Sequence, residues 1–230
     1  AIGFQTKKVS SDSIRNILEL KPAINELDEI IINSKKLDKE LTIGEFKKSK
    51  INSYFACGIQ PWISAKFFEH KEEYEKTPYL KKFRILTNSD IKNSKFKIRL
   101  YRINEKGEPQ NYIYNENIIG IAKKGKRTTE IDVSELNIEF PEKGFFIAIE
   151  WLIIEENKYE YKYIMKGSRK KLKDISYEPA IGIVPAKTNE NSWRFNKGKW
   201  SKTSWKNNNE SMKKYRNKYN QLAIELTLTN

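Results

Sequence analysis

The strongest constraint on the fold is an alternation of apolar and polar side chains with a period of two residues. In residues 95–101 the apolar positions are Phe96, Ile98 and Leu100, and basic residues stand between them. Residues 222–228 alternate in the same way. Because successive side chains of a strand point to opposite faces, this period predicts half-buried strands of an antiparallel sheet. Helical periodicity is nearly absent, which argues against a helical fold.

One segment is apolar on both faces. Residues 145–154 are interrupted only by Glu150, and a strand of this kind is predicted to lie centrally in a sandwich. Residues 141–144, Pro-Glu-Lys-Gly, supply a turn before it. Further strands are predicted at 62–68, 80–87, 128–133, 159–164 and 180–184. The pattern predicts an all-β fold, a β-sandwich or jelly-roll-like main domain, with one core that contains Ile98, Leu100, Ile147, Ile149, Ile224 and Leu226.

The chain carries a formal net charge of +14, from 44 Lys and Arg against 30 Asp and Glu. Such an excess is a first indication of nucleic acid or another anionic partner. The basic residues are mostly lysine, however, whereas arginine makes the bidentate contacts to phosphate and guanine. Two interpretations stay open, a selected anion-binding face and a lysine-rich surface that is simply solvated. Nucleic acid is the weaker of the partners considered.

Few residues carry the usual chemistry of an active site. Cys57 is the only cysteine and His70 the only histidine, so an intrachain disulfide and a cysteine-based zinc site are excluded, and no metal or cofactor is expected. Cys57 stands among apolar residues, which predicts a buried, unreactive thiol. His70 lies in a charged stretch, which predicts a surface histidine. Glu150 is predicted to form a structural salt bridge with a Lys or Arg.

Sequence motifs for catalysis and for membrane insertion are missing. The chain contains no P-loop, GxGxxG or GxSxG pattern, and we expect a non-catalytic protein. No stretch approaches the roughly 20 apolar residues that span a bilayer, and no signal peptide is recognisable. Because the chain begins with Ala1 rather than Met, we expect a mature or truncated fragment whose targeting information stood upstream.

The aromatic residues near the C-terminus are the ligand-binding candidates. Residues 193–219 are rich in Lys, Asn, Ser and Gly and poor in aliphatic side chains, so their large aromatics are not all expected to be core. Exposed aromatic rings offer broad contact areas to a sugar or to a partner protein. The alternative is that each ring closes an open end of the sandwich core. The candidates are Trp193, Trp200, Trp205 and Tyr215.

Two basic clusters between predicted strands are the anion-binding candidates. Each is predicted to be a loop or hairpin tip that could meet phosphate or anionic lipopolysaccharide, although a solvated loop is the simpler interpretation. The first cluster comprises Lys123, Lys124 and Arg127, and the second comprises Arg169, Lys170 and Lys171.

Residues 1–33 resemble the closing strands of a carboxypeptidase regulatory-like domain, a small non-catalytic sandwich of the prealbumin type. The resemblance is carried by residues 2–9 (IGFQTKKV), 17–20 (ILEL) and 27–32 (LDEIII). It implies an N-terminal remnant of that sandwich. Domains of this family commonly begin envelope proteins, including TonB-dependent outer-membrane receptors, so the resemblance also implies a place in a Gram-negative cell envelope, in the periplasm or at the outer membrane.

The rest of the chain resembles the β-sandwich that follows such a domain in some Gram-negative envelope proteins of unknown function. This resemblance rests on residues 82–85, 96–101 and 141–151. With the charged range 34–50 predicted as a linker, the main domain is predicted to span 51–230. The leading hypothesis is a non-catalytic envelope module that binds or scaffolds another envelope protein. The alternatives are a glycan-binding sandwich that uses exposed aromatics, then a nucleic-acid or anionic-surface binder, and last a hydrolase with unrecognised carboxylates.

Overall fold

The computed structural model describes residues 39–165, 167, 170–204, 206–207 and 213–230. These residues form antiparallel strands and four short 3₁₀ turns, which confirms the predicted all-β class. The turns are Lys48–Lys50, Glu72–Lys76, Ser134–Leu136 and Glu155–Asn157. The strands are β1 (Glu40–Ile43), β2 (Tyr54–Cys57), β3 (Ile63–Phe68), β4 (Tyr79–Ser89), β5 (Ser94–Ile103), β6 (Pro109–Tyr112), β7 (Ile118–Ala122), β8 (Gly125–Asp132), β9 (Phe145–Trp151), β10 (Lys158–Ile164), β11 (Lys171–Ala186), β12 (Ser192–Asn196), β13 (Lys199–Lys202), β14 (Tyr219–Leu222) and β15 (Ile224–Thr229).

The described strands form two antiparallel sheets. The first sheet has eight strands in the order β1-β15-β4-β11-β10, with β8 paired to β4 and with β2 and β14 paired to β11. The second sheet has seven strands in the order β13-β12-β3-β9-β5-β6, with β7 paired to β5. Each sheet has one apolar face, and the apolar faces of the two sheets pack against each other. The fold is therefore the predicted β-sandwich.

The core between the sheets contains the six residues that the alternation predicted. Ile98, Leu100, Ile147, Ile149, Ile224 and Leu226 are all buried in a single apolar cluster. They come from β5, β9 and β15, so the cluster joins the two sheets. Complete burial of such a side chain contributes roughly 1.5–3 kcal/mol to folding.

Strand β9 is central, as its two apolar faces predicted. It pairs with β3 on one side and with β5 on the other. Glu150, the polar interruption, lies 2.9 Å from the guanidinium of Arg99 on β5. The predicted salt bridge is therefore present, and it lies on the partly exposed outer face of the second sheet.

The predicted linker contributes a strand to the main domain. Within the range 34–50, β1 pairs with β15 along its whole length, and Leu41 and Ile43 pack against the core. Treating this whole range as a linker was wrong, because Leu41 and Ile43 are enough for an edge strand although most of their neighbours are polar or charged. Residues 1–33 lie outside the described part of the chain, so their assignment to a regulatory-like domain stays a prediction.

The predicted strand at 222–228 is interrupted. Ala223 separates β14 from β15, and its backbone N–H donates to the carbonyl of Gly182 while its own carbonyl accepts from Leu86. The hydrophobic alternation continues through this break, so the pattern alone does not reveal it.

The turn before β9 depends on a glycine. Gly144 has a φ of +76°, and its N–H donates to the carbonyl of Pro141 at 2.8 Å. A Cβ at this position would lie 2.5 Å from the carbonyl oxygen of Phe68 and 2.7 Å from the ring of Phe67. Gly107 has nearly the same φ, +78°, but nothing lies within 4 Å of its Cβ position.

Substitution of Gly107 and Gly144 distinguishes the cost of a positive φ from the cost of steric overlap. We expect Gly107→Ala to lower the free energy of unfolding by about 1 kcal/mol, the cost of a left-handed backbone for alanine. Gly144→Ala should lose a further 1–3 kcal/mol, roughly, because β3 must move. Chemical denaturation of both variants checks this, and equal losses would show that the contact with β3 is unimportant.

Candidate functional site

An open cleft of about 420 Å³ lies where the two sheets approach each other at one edge. Its walls come from the end of β2 and the loop to β3, from the paired strands β10 and β11, and from β12. Concave sites with aromatic walls and a few polar groups are typical of ligand binding. The lining residues are Ala56, Cys57, Gly58, Ile59, Gln60, Trp62, Tyr161, Asp174, Ile175, Ser176 and Arg194.

A stack of planar groups connects the cleft to the core. Trp62 stacks on Trp151, with ring centroids 4.6 Å apart and planes 22° apart, and the guanidinium of Arg194 lies 4.3 Å from the centroid of the Trp62 ring. Trp151 is itself buried, and its indole N–H donates to the carbonyl of Pro179 at 2.8 Å. The stack holds Trp62 and Arg194 in fixed positions at the cleft.

Tyrosines line one face of β10 beside the cleft. Tyr159, Tyr161 and Tyr163 follow one another at every second residue, with neighbouring ring centroids 6.1 Å apart. Tyr161 is the register partner of Asp174 on β11, and its hydroxyl lies 3.4 Å from the Asp174 carboxylate. Of these tyrosines Tyr161 lines the cleft, so the wall combines a partly exposed phenol ring with the Asp174 carboxylate.

A register shift in β11 shapes the cleft floor. Between Tyr177 and Ile181 the pairing with β2 changes register, and the Ser176 hydroxyl on the cleft side lies 3.3 Å from the carboxylate of Glu178. Burial, together with the nearby charge of Asp90, raises the pKa of Glu178. Its carboxyl group is buried behind the cleft wall, so it does not line the cleft.

The single cysteine and the single histidine of the sequence are both packed against other side chains. Cys57 is fully buried, as predicted, and burial raises the pKa of its thiol to about 11, so the thiol is protonated at neutral pH and unreactive. The prediction of a surface position for His70 was wrong in part. His70 is half-buried, with its ring centroid 6.0 Å from that of Tyr74 and 5.6 Å from that of Phe140.

Two of the aromatic ligand candidates are buried. Trp193 and Tyr215 expose almost no surface, and the Tyr215 hydroxyl donates to the carbonyl of Ile183 at 2.9 Å. Their expected exposure was therefore wrong, and both rings are packed as the alternative interpretation predicts. Trp200 is half-buried against Tyr101. Trp205 lies outside the described residues.

Trp193 and Trp200 belong to an aromatic cluster on the outer face of the second sheet. Phe146 and Trp193 lie edge to face at 5.9 Å, and Trp200 contacts both Tyr101 and Phe195. In this cluster the aromatic rings pack mainly against one another. The sequence drew attention to them, whereas the structure places the cleft between the sheets.

The two basic clusters lie apart from the cleft lining. Lys123 and Lys124 are exposed at the turn between β7 and β8, and Arg127 is exposed near the start of β8. Lys170 and Lys171 are exposed where β11 begins. Arg169 lies outside the described residues. Their role as anion-binding residues stays a prediction.

Two kinds of feature are missing from the residues that the structure describes. No group of three or more His, Cys, Asp and Glu side chains there is arranged to hold a metal ion. No helix in that part of the chain has the length and apolar character needed to cross a membrane.

Comparisons with known proteins give few matches. No protein-family model matches the chain, and no curated protein matches it. One similar solved structure contains the cysteine protease and lectin-like domains of Cwp84, a surface layer associated protein of Clostridium difficile, with a TM-score of 0.49, 10% identity, and coverage of 84% of this chain and 36% of that chain. Another is the clostridial cysteine protease Cwp84 after propeptide cleavage, with a TM-score of 0.49, 10% identity, and coverage of 83% and 40%. The chain spans well under half the length of either.

One buried cation lies away from the cleft. Lys66 on β3 points between the sheets, and its ammonium group donates to the carbonyl of Ile224 at 2.9 Å. Burial lowers the pKa of this lysine from 10.5 to about 8, and the charge of Glu225 offsets only part of that effect. At neutral pH the Lys66 side chain is therefore charged in the folded protein, although its burial makes the charged form less stable than it is in water.

The low pKa of Lys66 predicts a pH-dependent stability. Between pH 8 and pH 10.5 the unfolded chain binds more protons at this residue than the folded chain, so its contribution to the free energy of unfolding rises with pH, by about 3 kcal/mol. Cys57 acts in the opposite direction, because its thiol pKa is raised to about 11. The difference between wild type and Lys66→Met isolates the lysine.

Urea denaturation across this pH range is the measurement. We expect the free energy of unfolding of the wild type to rise relative to that of Lys66→Met as the pH rises. Lys143→Met removes an exposed lysine and serves as the control, which should follow the wild type. Parallel curves for wild type and Lys66→Met would contradict the account.

Proposed function

We propose that this β-sandwich is a non-catalytic carbohydrate-binding module of the cell envelope, and that the cleft between β2, β10, β11 and β12 holds the glycan. The observation that carries the proposal is the pairing of Tyr161 with Asp174 in a cleft flanked by a row of tyrosines. The envelope location rests on the sequence resemblance.

The chemistry of the cleft fits a sugar. A pyranose ring presents C–H groups on its faces and hydroxyl groups around its rim, so it suits partly exposed aromatic rings that stand next to hydrogen-bonding side chains. Here Tyr161 supplies the ring, Asp174 accepts hydrogen bonds, and Gln60 both donates and accepts. Trp62 and Arg194 are held in place by their stack, which limits the entropy lost on binding.

The arrangement supports binding better than hydrolysis. Glycoside hydrolysis uses two carboxyl groups that flank the scissile bond. In this cleft Asp174 is the only carboxylate among the lining residues that the structure describes. Glu178, two strand positions beyond Ser176, is buried and accepts a hydrogen bond from the backbone N–H of Ala180. We therefore assign the cleft to recognition.

Tyr161→Ala and Asp174→Ala test this function. We expect the wild type to bind a subset of a glycan array, and each variant to bind those glycans at least about tenfold more weakly, because each loses a direct contact. Their melting temperatures should change little, since both side chains are partly exposed. Isothermal titration calorimetry with the best-bound oligosaccharide gives the affinities.

Glu160→Ala is the matched control. Glu160 is the neighbour of Tyr161 on the same strand, but its side chain points to the opposite face of the sheet. The control should bind like the wild type. A wild type that binds no glycan, or a Tyr161→Ala variant with unchanged affinity, would refute the proposal.

A further inference from the structure

The outer half of the β10–β11 hairpin exposes a run of apolar side chains. Tyr163, Ile164 and Met165 are consecutive, and 39%, 57% and 55% of their surfaces are exposed. Isolated exposed apolar residues are ordinary in soluble proteins, but contiguous ones mark contact surfaces. The carbohydrate site uses Tyr161, nearer the base of the hairpin, whereas none of these three side chains lines the cleft.

The same part of the hairpin is strongly basic. Residues 161–173 contain six Lys and Arg residues and no Asp or Glu. Lys162 and Lys173 are register partners, and Lys171 is the partner of Ile164, so three exposed lysines share one face of the hairpin with an exposed isoleucine. On the opposite face Tyr163 is the partner of Leu172. Cations thus surround an apolar end.

The hairpin is anchored at its base and extends away from it. Just before β10, the side chain of Asn157 accepts from the N–H of Lys95 at 2.8 Å and donates to the carbonyls of Lys95 and Leu152. From this anchor β10 runs for seven residues, or about 20 Å. Among the described residues β10 pairs with β11 alone.

We propose that the outer half of this hairpin docks on an anionic lipid bilayer. Ile164 and Met165 enter the boundary between headgroups and acyl chains, Tyr163 lies at the level of the headgroups, and Lys162, Lys171 and Lys173 bind lipid phosphates. Aromatic residues favour this interface because one end of the ring is apolar and the other polar. A soluble polyanion would engage the lysines but leave both apolar side chains in water, so a bilayer fits the whole surface better.

Vesicle co-sedimentation tests the proposal with the full chain and three variants. The probes are vesicles of phosphatidylcholine alone and vesicles of phosphatidylcholine mixed with phosphatidylglycerol. We expect the wild type to bind only the anionic vesicles. Lys162→Gln/Lys171→Gln/Lys173→Gln should weaken binding on the order of a hundredfold, from the loss of three cations near the surface. Ile164→Ser/Met165→Ser should weaken it roughly tenfold or more.

The control removes the same charge at the other end of the sandwich. Lys71 and Lys143 are exposed within three residues of the paired Phe68 and Phe145, where β9 begins, and Lys76 is exposed at the end of the 3₁₀ turn that follows β3. The hairpin, in contrast, follows the end of β9. The triple Gln variant at these positions should bind within a few fold of the wild type. Circular dichroism and melting temperatures verify that all variants are folded, as expected for exposed positions.

Three results would overturn the proposal. The first is a wild type that does not bind anionic vesicles. The second is an equal loss in the control, which would show general charge attraction. The third is a lysine variant that loses binding while the Ile164→Ser/Met165→Ser variant does not, which would indicate a soluble polyanion such as an acidic polysaccharide. Because the glycan variants change Tyr161 and Asp174 only, failure of the carbohydrate proposal would leave these vesicle results unaffected.

Discussion

The register shift in β11 is the constraint on which the rest of the structure depends. The first half of this strand pairs with β10, and the second half pairs with β4 and β14. Between Tyr177 and Ile181 the pairing with β2 shifts, and the buried indole of Trp151 donates to the carbonyl of Pro179 within that interval. A bulge of this kind redirects a strand and its side chains. Without it, the β10–β11 hairpin would not form one wall of a cleft against Trp62.

Charge is distributed unevenly around this arrangement. The cleft contains a carboxylate, an amide and a guanidinium, so it is polar without being strongly charged. In the adjacent hairpin, the charged residues between positions 161 and 173 are all Lys or Arg. The lysine excess therefore has a local concentration at this hairpin, and exposed apolar side chains accompany it. Two neighbouring surfaces follow, one suited to a neutral polar ligand and the other to an anionic, apolar boundary. A module that binds a glycan close to a membrane surface would use both together.

The sequence predicted those parts of the fold that a strict alternation controls. Ile98 and Leu100 on β5 were placed in the core correctly because a strand has only two faces. The strands β12 and β13 were missed because aromatic and polar residues alternate there without aliphatic residues. The range 34–50 was assigned to a linker because polar and charged residues surround Leu41 and Ile43. Trp193 failed as an exposed candidate because its polar neighbours report nothing about the face to which its own ring points.

The cleft itself was beyond the reach of sequence patterns. The tyrosines of β10 stood in a predicted strand, and their spacing was the one local signal that could have identified them. Asp174 is thirteen positions from Tyr161, and Arg194 is more than a hundred from Trp62. Their meeting depends on strand pairing and on the shift in β11, which no periodicity encodes.

The central claim, that the ligand occupies the cleft rather than the outer aromatic cluster, is tested most directly by the indole N–H signals of the protein. The chain has five tryptophans, of which Trp62 lines the cleft and Trp193 and Trp200 belong to the outer cluster. With ¹⁵N-labelled tryptophan, titration with the best-bound oligosaccharide should shift the signal of Trp62 strongly and leave those of Trp193 and Trp200 in place. Shifts at Trp193 and Trp200 with an unchanged Trp62 would contradict the account.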